Sequence, residues 1–253
     1  MIDSHVHLNH SDFAEDFDAV VQRAHDAGVS RVVNIGFDLD SSRETVAMVQ
    51  KYPFVDGAVG VHPHDATSYN DEVELVLADL LDTPRVIAVG EIGLDYYRDL
   101  SPRDRQKEVF RRQLALARKK DKPVIIHCRD AFDDVIEVLR EEDPPWRGIF
   151  HAFTGDENMA TTVLDLGFHI GIGGVVTFRN SNLRQVVAGL PVESYVLETD
   201  CPYLTPAPFR GKRNEPSYLT YVTEEISKVT DRPASSIAEM TTRNFYDCMG
   251  LTS

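Results

Sequence analysis

Eight short runs rich in Val and Ile recur along a chain of 253 residues, each followed by a longer stretch whose apolar residues follow a helical spacing. The runs cover Ile2 to Leu8, Arg31 to Gly36, Phe54 to Val61, Val86 to Glu91, Pro123 to His127, Gly148 to His151, His169 to Gly171 and Tyr195 to Glu198. Runs of this length and composition read as strands buried on both faces, and parallel strands of that kind need helical crossovers between them. The intervening stretches read as helices over about Phe13 to Ala27, Ser41 to Lys51, Asp71 to Leu81, Pro102 to Lys120, Ala131 to Glu141, Glu157 to Leu166 and Asn182 to Ala188. Two more follow, from Pro216 to Val229 and from Ala234 to Met249. Gly28 stops the first helix; Ser101, Pro102 and Asp104 mark the start of the fourth with a cap, a proline and an acid in the first turn. No linker, repeat or low-complexity tract divides the series. The expectation is an α/β fold, a TIM (β/α)8 barrel, with residues 1–253 as a single domain.

Barrels of this kind carry their chemistry at the C-terminal ends of the strands. The first run ends at His5-Val6-His7, the third at His62, the fourth at Glu91, the fifth at His127, the sixth at His151 and the eighth at Leu197-Glu198-Thr199-Asp200. Six of the eight runs therefore finish in a side chain able to bind a metal. Side chains alternate across a strand, so His5 and His7 share one face. With Glu91, His127, His151 and Asp200 they make a mixed nitrogen and oxygen set larger than one tetrahedral zinc uses, which points to two divalent ions bridged by Glu91. Taken singly, each residue could instead cap a helix or hydrogen-bond in the core. Taken together, they would leave many polar groups at the ends of buried strands, where unpaired ones are costly. Asp3 shares the face of His5 and His7 and is expected either to orient one of them or to make a structural hydrogen bond. Cys128 and Cys201 each follow a candidate ligand, so alternation turns them away as small buried hydrophobes.

The formal charge of −15 argues against a generally basic nucleic-acid surface and against attachment to anionic lipid. A polyanion would need a locally positive site. Of the 26 basic residues 19 are Arg, and Arg98, Arg103, Arg129, Arg179 and the loop Pro208 to Arg213 all follow strands on the expected active face. Surface salt bridges are the competing use for each. Three cysteines without a C-x-x-C pair, and no apolar stretch near 18 residues, set the expectation of a cytoplasmic protein with no membrane span.

The segments DSHVHL, VGVHPHDA, VGEIGLDYY, PVIIHCRDA, IFHAFTGD, LETDCPYLTP and RGKRNEP, in this order, resemble the TatD family of metal-dependent deoxyribonucleases of the amidohydrolase superfamily. The resemblance spans nearly the whole chain. One departure is HAFTG, with Ala152 and Thr154, where the family often has HCFSG; the histidine is kept. The resemblance implies a hydrolase of DNA phosphodiester bonds, with exonuclease action expected, working through a water activated by two divalent ions (Mg, Mn or Zn). Carried over, His5, His7, Glu91 and Asp200 would bind one ion and Glu91, His127 and His151 the other, with Glu91 and Asp200 catalytic and Asp200 the base. His62, Arg129 and Arg210 are the expected substrate contacts, and His64 reads as an ordinary loop residue. The expected partner is DNA, single-stranded, with no obligate protein partner. The alternatives are a barrel hydrolase of small amides, lactones or phosphate esters, and a metal-binding or scaffold protein without catalysis.

Overall fold

The protein is described by a computed structural model over residues 1–142 and 144–252. Its strands are β1 (Ile2–Val6), β2 (Arg31–Ile35), β3 (Val55–Val59), β4 (Val86–Asp95), β5 (Val124–Arg129), β6 (Gly148–Phe150), β7 (Phe168–Ile172) and β8 (Tyr195–Leu197). They form one sheet in sequence order, every neighbouring pair parallel. The sheet closes where the chain leaves β8: Val6 bridges Cys201, His7 N donates to Cys201 O at 2.9 Å, and Asp200 N donates to His5 O at 2.9 Å. The seam of the barrel is thus built from the backbone of the residues whose side chains matter most. This is the TIM barrel architecture.

The crossovers carry α1 (Phe17–Asp26), α2 (Leu39–Lys51), α3 (Asp71–Leu80), α4 (Arg103–Lys119), α5 (Phe132–Glu141), α6 (Glu157–Asp165) and α7 (Leu183–Gly189); α8 (Leu219–Thr230) and α9 (Ala234–Met249) follow β8. Outward residues of the strands, such as Val32, Val55, Val124 and Leu197, pack with helix residues such as Val20, Leu77 and Leu114. Each such fully buried aliphatic side chain contributes about 1.5–3 kcal/mol. Inward residues Val33, Ile35, Ala58, Ile125, Ile149 and Val196 form a separate apolar group with Phe245, Cys248 and Met249 of α9, which closes the N-terminal end of the barrel. The period of two then carries the inward face from Ile125 to His127, from Ile149 to His151 and from Val196 to Glu198. A dry plug below and a polar mouth above follow from one alternation.

Three local expectations are corrected. The first helix is split: His10 Nδ1 accepts from Asp12 N at 3.2 Å and caps a short 3-10 turn, Ser11–Phe13, before α1 begins at Phe17. Ser101 does not cap α4, because its hydroxyl donates to the His64 carbonyl at 2.8 Å and Pro102 occupies the cap position. β4 runs past Glu91 to Asp95, paired along β5 as far as Arg129. Among the described residues no helix is long and apolar enough to cross a membrane.

Candidate metal centre

At the mouth of the barrel the ends of five strands bring six polar side chains together. His5 Nε2 lies 3.3 Å from His7 Nε2, 3.4 Å from Glu91 Oε2 and 3.7 Å from Asp200 Oδ1. His7 Nε2 is 3.5 Å and His151 Nε2 3.9 Å from the same Asp200 oxygen. Glu91 Oε1 is met by His127 Nδ1 at 2.6 Å and by His151 Nε2 at 3.7 Å. The rings of His5 and His151 stack, centroids 3.5 Å apart. Gly93 of β4, at φ +144°, leaves room for the His127 backbone, which a Cβ there would overlap.

For His7, His127 and His151 the partner of the second ring nitrogen bears on what the first can do, while His5 Nδ1 is buried without a partner among the described residues. His7 Nδ1 lies 3.3 Å from the carbonyl of Ile35, which only accepts, so the proton sits on Nδ1 and Nε2 offers a lone pair. His151 Nδ1 faces Glu198 Oε2 at 3.1 Å and His127 Nε2 faces Asp95 Oδ2 at 3.0 Å, with the same consequence. Nε2 of His7 and His151 and Nδ1 of His127 therefore converge on two carboxylates, where each would offer a lone pair to a bound ion, and His5 turns its Nε2 to the same point. Imidazole nitrogens and carboxylate oxygens at these separations need a proton or a metal ion between them, and the mixed donor set fits a divalent metal. Among the described residues three groups have ligand atoms close enough to share an ion: His5, His7 and Asp200; His5, His151 and Glu198; and His62, Glu91 and His127.

His62 differs. Its Nδ1 accepts the backbone N–H of His64 at 3.1 Å, so the neutral ring carries its proton on Nε2, which points to Glu91 Oε1 at 3.8 Å. Burial holds His62 well below the usual imidazole range, which keeps it neutral. A neutral ring with Nε2–H is a hydrogen-bond donor, not a ligand. Burial alone would raise the Glu91 and Asp200 carboxyls, yet the surrounding imidazoles hold both below their ordinary values. Burial also opposes protonation of His151, but Glu198 and Glu91 outweigh it and push that ring up to about 10, so without an ion it holds both protons and a metal at Nε2 would displace one of them. Cys201 is wholly buried beside the seam, as expected of a small hydrophobe, whereas Cys128 is half-buried, with its thiol raised to about 12 by desolvation.

Other expected residues divide. Asp3 orients neither histidine ring: its carboxylate accepts from Thr199 N at 2.9 Å and Thr199 Oγ at 2.6 Å, fastening β1 to the chain beyond β8. Arg213 is paired with Asp16 at 2.7 Å and Arg103 with Asp99 at 3.3 Å, the salt-bridge use. Arg129 and Arg210 are exposed and stack on Tyr97 and Phe178, each 3.8 Å from the ring centre. Sequence reasoning missed Asp95, Glu198 and His64. Glu198 was in phase with Val196 and Asp200, a signal that could have found it. His64 is no ordinary loop residue, since its Nε2 lies 2.9 Å from Asp95 Oδ2.

The chain matches the family model described as TatD related DNase over residues 2–250. It is 43% identical to the metal-dependent hydrolase YabD of Bacillus subtilis across 96% of both chains. It is 37% identical to the 3'-5' ssDNA/RNA exonuclease TatD of Edwardsiella piscicida, across 96% of this chain and 97% of that one. The crystal structure of YjjV, a TatD homolog from Escherichia coli, superposes with a TM-score of 0.94 at 33% identity, covering 100% of this chain and 98% of that one.

Proposed function

The chain belongs to the TatD related DNase family, and from that premise we propose that it is a metal-dependent deoxyribonuclease acting on single-stranded DNA. The observation that carries this reading is the convergence of one ring nitrogen from each of His5, His7, His127 and His151 on Glu91 and Asp200. We assign His5, His7, Glu91 and Asp200 to one divalent ion and Glu91, His127 and His151 to a second, with Glu91 shared. Imidazole and carboxylate ligands suit Zn or Mn, and phosphoryl chemistry is also served by Mg. Such ions supply Lewis-acid polarisation of the phosphoryl group and lower the pKa of water toward neutrality.

The protein's own groups do the rest. Asp200 takes the proton of the attacking water, which adds to phosphorus in line with the departing oxygen. His62 donates its Nε2–H to a phosphoryl oxygen. Arg129 and Arg210 use their flat faces on Tyr97 and Phe178, which leaves N–H edges for neighbouring phosphates. Two divalent ions would offset the four carboxylates Glu91, Asp200, Asp95 and Glu198, which leaves the rim arginines to supply the positive field for a polyanion on a chain of net charge −15. Relatives named as 3'-5' ssDNA/RNA exonucleases favour removal of nucleotides from an end, and extend the candidate substrates to RNA.

The test is chelator-stripped protein, reloaded with each of Mg, Mn and Zn and given single-stranded oligonucleotides labelled at either end, beside small esters, lactones and amides. Stepwise shortening that depends on metal is expected. Metal-dependent turnover of the small substrates with intact DNA would overturn the assignment in favour of a small-molecule hydrolase.

A further inference from the structure

Behind His127 stands a carboxylate whose every contact is fixed. Asp95 Oδ2 lies 3.0 Å from His127 Nε2 and 2.9 Å from His64 Nε2. Its Oδ1 accepts the backbone N–H of Tyr97 at 3.0 Å and of Arg98 at 2.7 Å. The backbone of Asp95 is tied in turn to Gln106 of α4, whose Oε1 accepts from Asp95 N at 2.9 Å and whose Nε2 donates to Asp95 O at 3.2 Å. The side chain is 1% exposed. One oxygen thus serves two imidazoles while the other is spent on backbone, so the carboxylate can neither rotate nor turn toward the ions.

We propose that Asp95 is a positioning residue that fixes the tautomers of His127 and His64 together. An ionised carboxylate only accepts, so both rings carry their protons on Nε2. His127 then has its Nδ1 free to give up its contact with Glu91 Oε1, 2.6 Å away, and to offer a lone pair to an ion held on that side. His64 is held by the same oxygen, and its backbone N–H is the donor that sets the His62 tautomer. One buried acid therefore prepares a metal ligand and, through the turn His62-Pro63-His64, the ring offered to the phosphoryl group. The inference rests on the reading that His127 and Glu91 hold a divalent ion.

The Asp95→Asn variant separates positioning from mere packing. An asparagine placed with Oδ1 on the two backbone N–H groups turns its amide N–H pair toward both Nε2 atoms. His127 must then carry its proton on Nδ1, pointing at Glu91, where it blocks the ion. The expected result is a folded protein with a near wild-type melting temperature, whose zinc affinity by calorimetry is about 10- to 100-fold weaker. Asp95→Ala removes the acceptor without installing a donor, so it should weaken zinc binding less than Asp95→Asn while lowering stability more. A packing role gives the opposite order for zinc. Long-range proton–nitrogen spectra of the zinc-loaded wild type should show the His127 proton on Nε2. Wild-type zinc affinity in Asp95→Asn, or a proton on Nδ1 in the wild type, would overturn the proposal. Intact DNA in the nuclease assay would count against the nuclease reading alone, since these measurements use zinc as the only ligand.

Discussion

Glu198 Oε2 lies 3.1 Å from Nδ1 of His151, on the edge of that ring turned away from Glu91 and Asp200. The other carboxylate oxygen accepts from Ala152 N at 2.7 Å, and Gly171 on β7 leaves the space the carboxylate fills. Glu198 therefore holds His151 with Nε2 toward the site. Glu198→Gln keeps the shape but offers an amide N–H to that nitrogen, and is expected to weaken metal binding about 10-fold or more. Gly171→Ala should act in the same direction by displacing the carboxylate, because a Cβ there overlaps it. Competition against a fluorescent chelator measures both; unchanged affinity in the two variants would show that Glu198 only fills space.

Asp200 sits at φ +57°, a left-handed conformation that Asn adopts readily, so Asp200→Asn preserves the backbone of the seam. It removes the basicity the attacking water requires. At saturating metal, turnover should fall by roughly 10²- to 10⁴-fold, the usual worth of general-base catalysis. Near wild-type turnover with metal bound would remove Asp200 from that role.

What could be read from the chain depended on whether a feature was local. His127 and His151 follow Ile125 and Ile149 at the strand period, so the inward face alone predicts their convergence. Glu198 obeys the same period, yet with Asp200 beside it in the sequence its separate task behind His151 was invisible. Asp95 was hidden because Gly90 and Gly93 resemble the end of a strand, whereas the ladder to β5 continues through them. The part played by His64 depends on a turn of β3's connection lying against β4, a contact between residues 31 apart that no local pattern encodes.

Burial, eased only partly by the bonds to Thr199, raises the Asp3 carboxyl from 3.8 to about 8. Between those values the folded protein keeps a proton that the unfolded chain has shed. Stability from this group is therefore full below about pH 4, declines as pH rises toward 8 and levels off above it. Asp3→Asn can still accept from Thr199 but has no proton to lose, so it should lack this slope. Urea midpoints for both proteins at pH 5 and pH 8 test the sign: the wild type should lose more than the variant over that interval. Parallel profiles would mean that Asp3 is already ionised at pH 5.

Arg129 and Arg210 flank the mouth after β5 and β8, exposed and braced on aromatic rings rather than on acids. Contacts to phosphate release condensed counterions, so for a single strand each contributes about 0.7 to the slope of log affinity against log salt. Arg129→Ala and Arg210→Ala should each flatten that slope by about this amount and weaken oligonucleotide binding with little dependence on base sequence. Arg213 serves as the internal control: it is committed to Asp16 at 2.7 Å, so Arg213→Ala should lower thermal stability and leave the slope unchanged. Binding of a non-hydrolysable phosphorothioate strand across a salt series makes the comparison. Slopes that shift with Arg213 but not with Arg129 or Arg210 would move the phosphate track to the opposite side of the β8 loop.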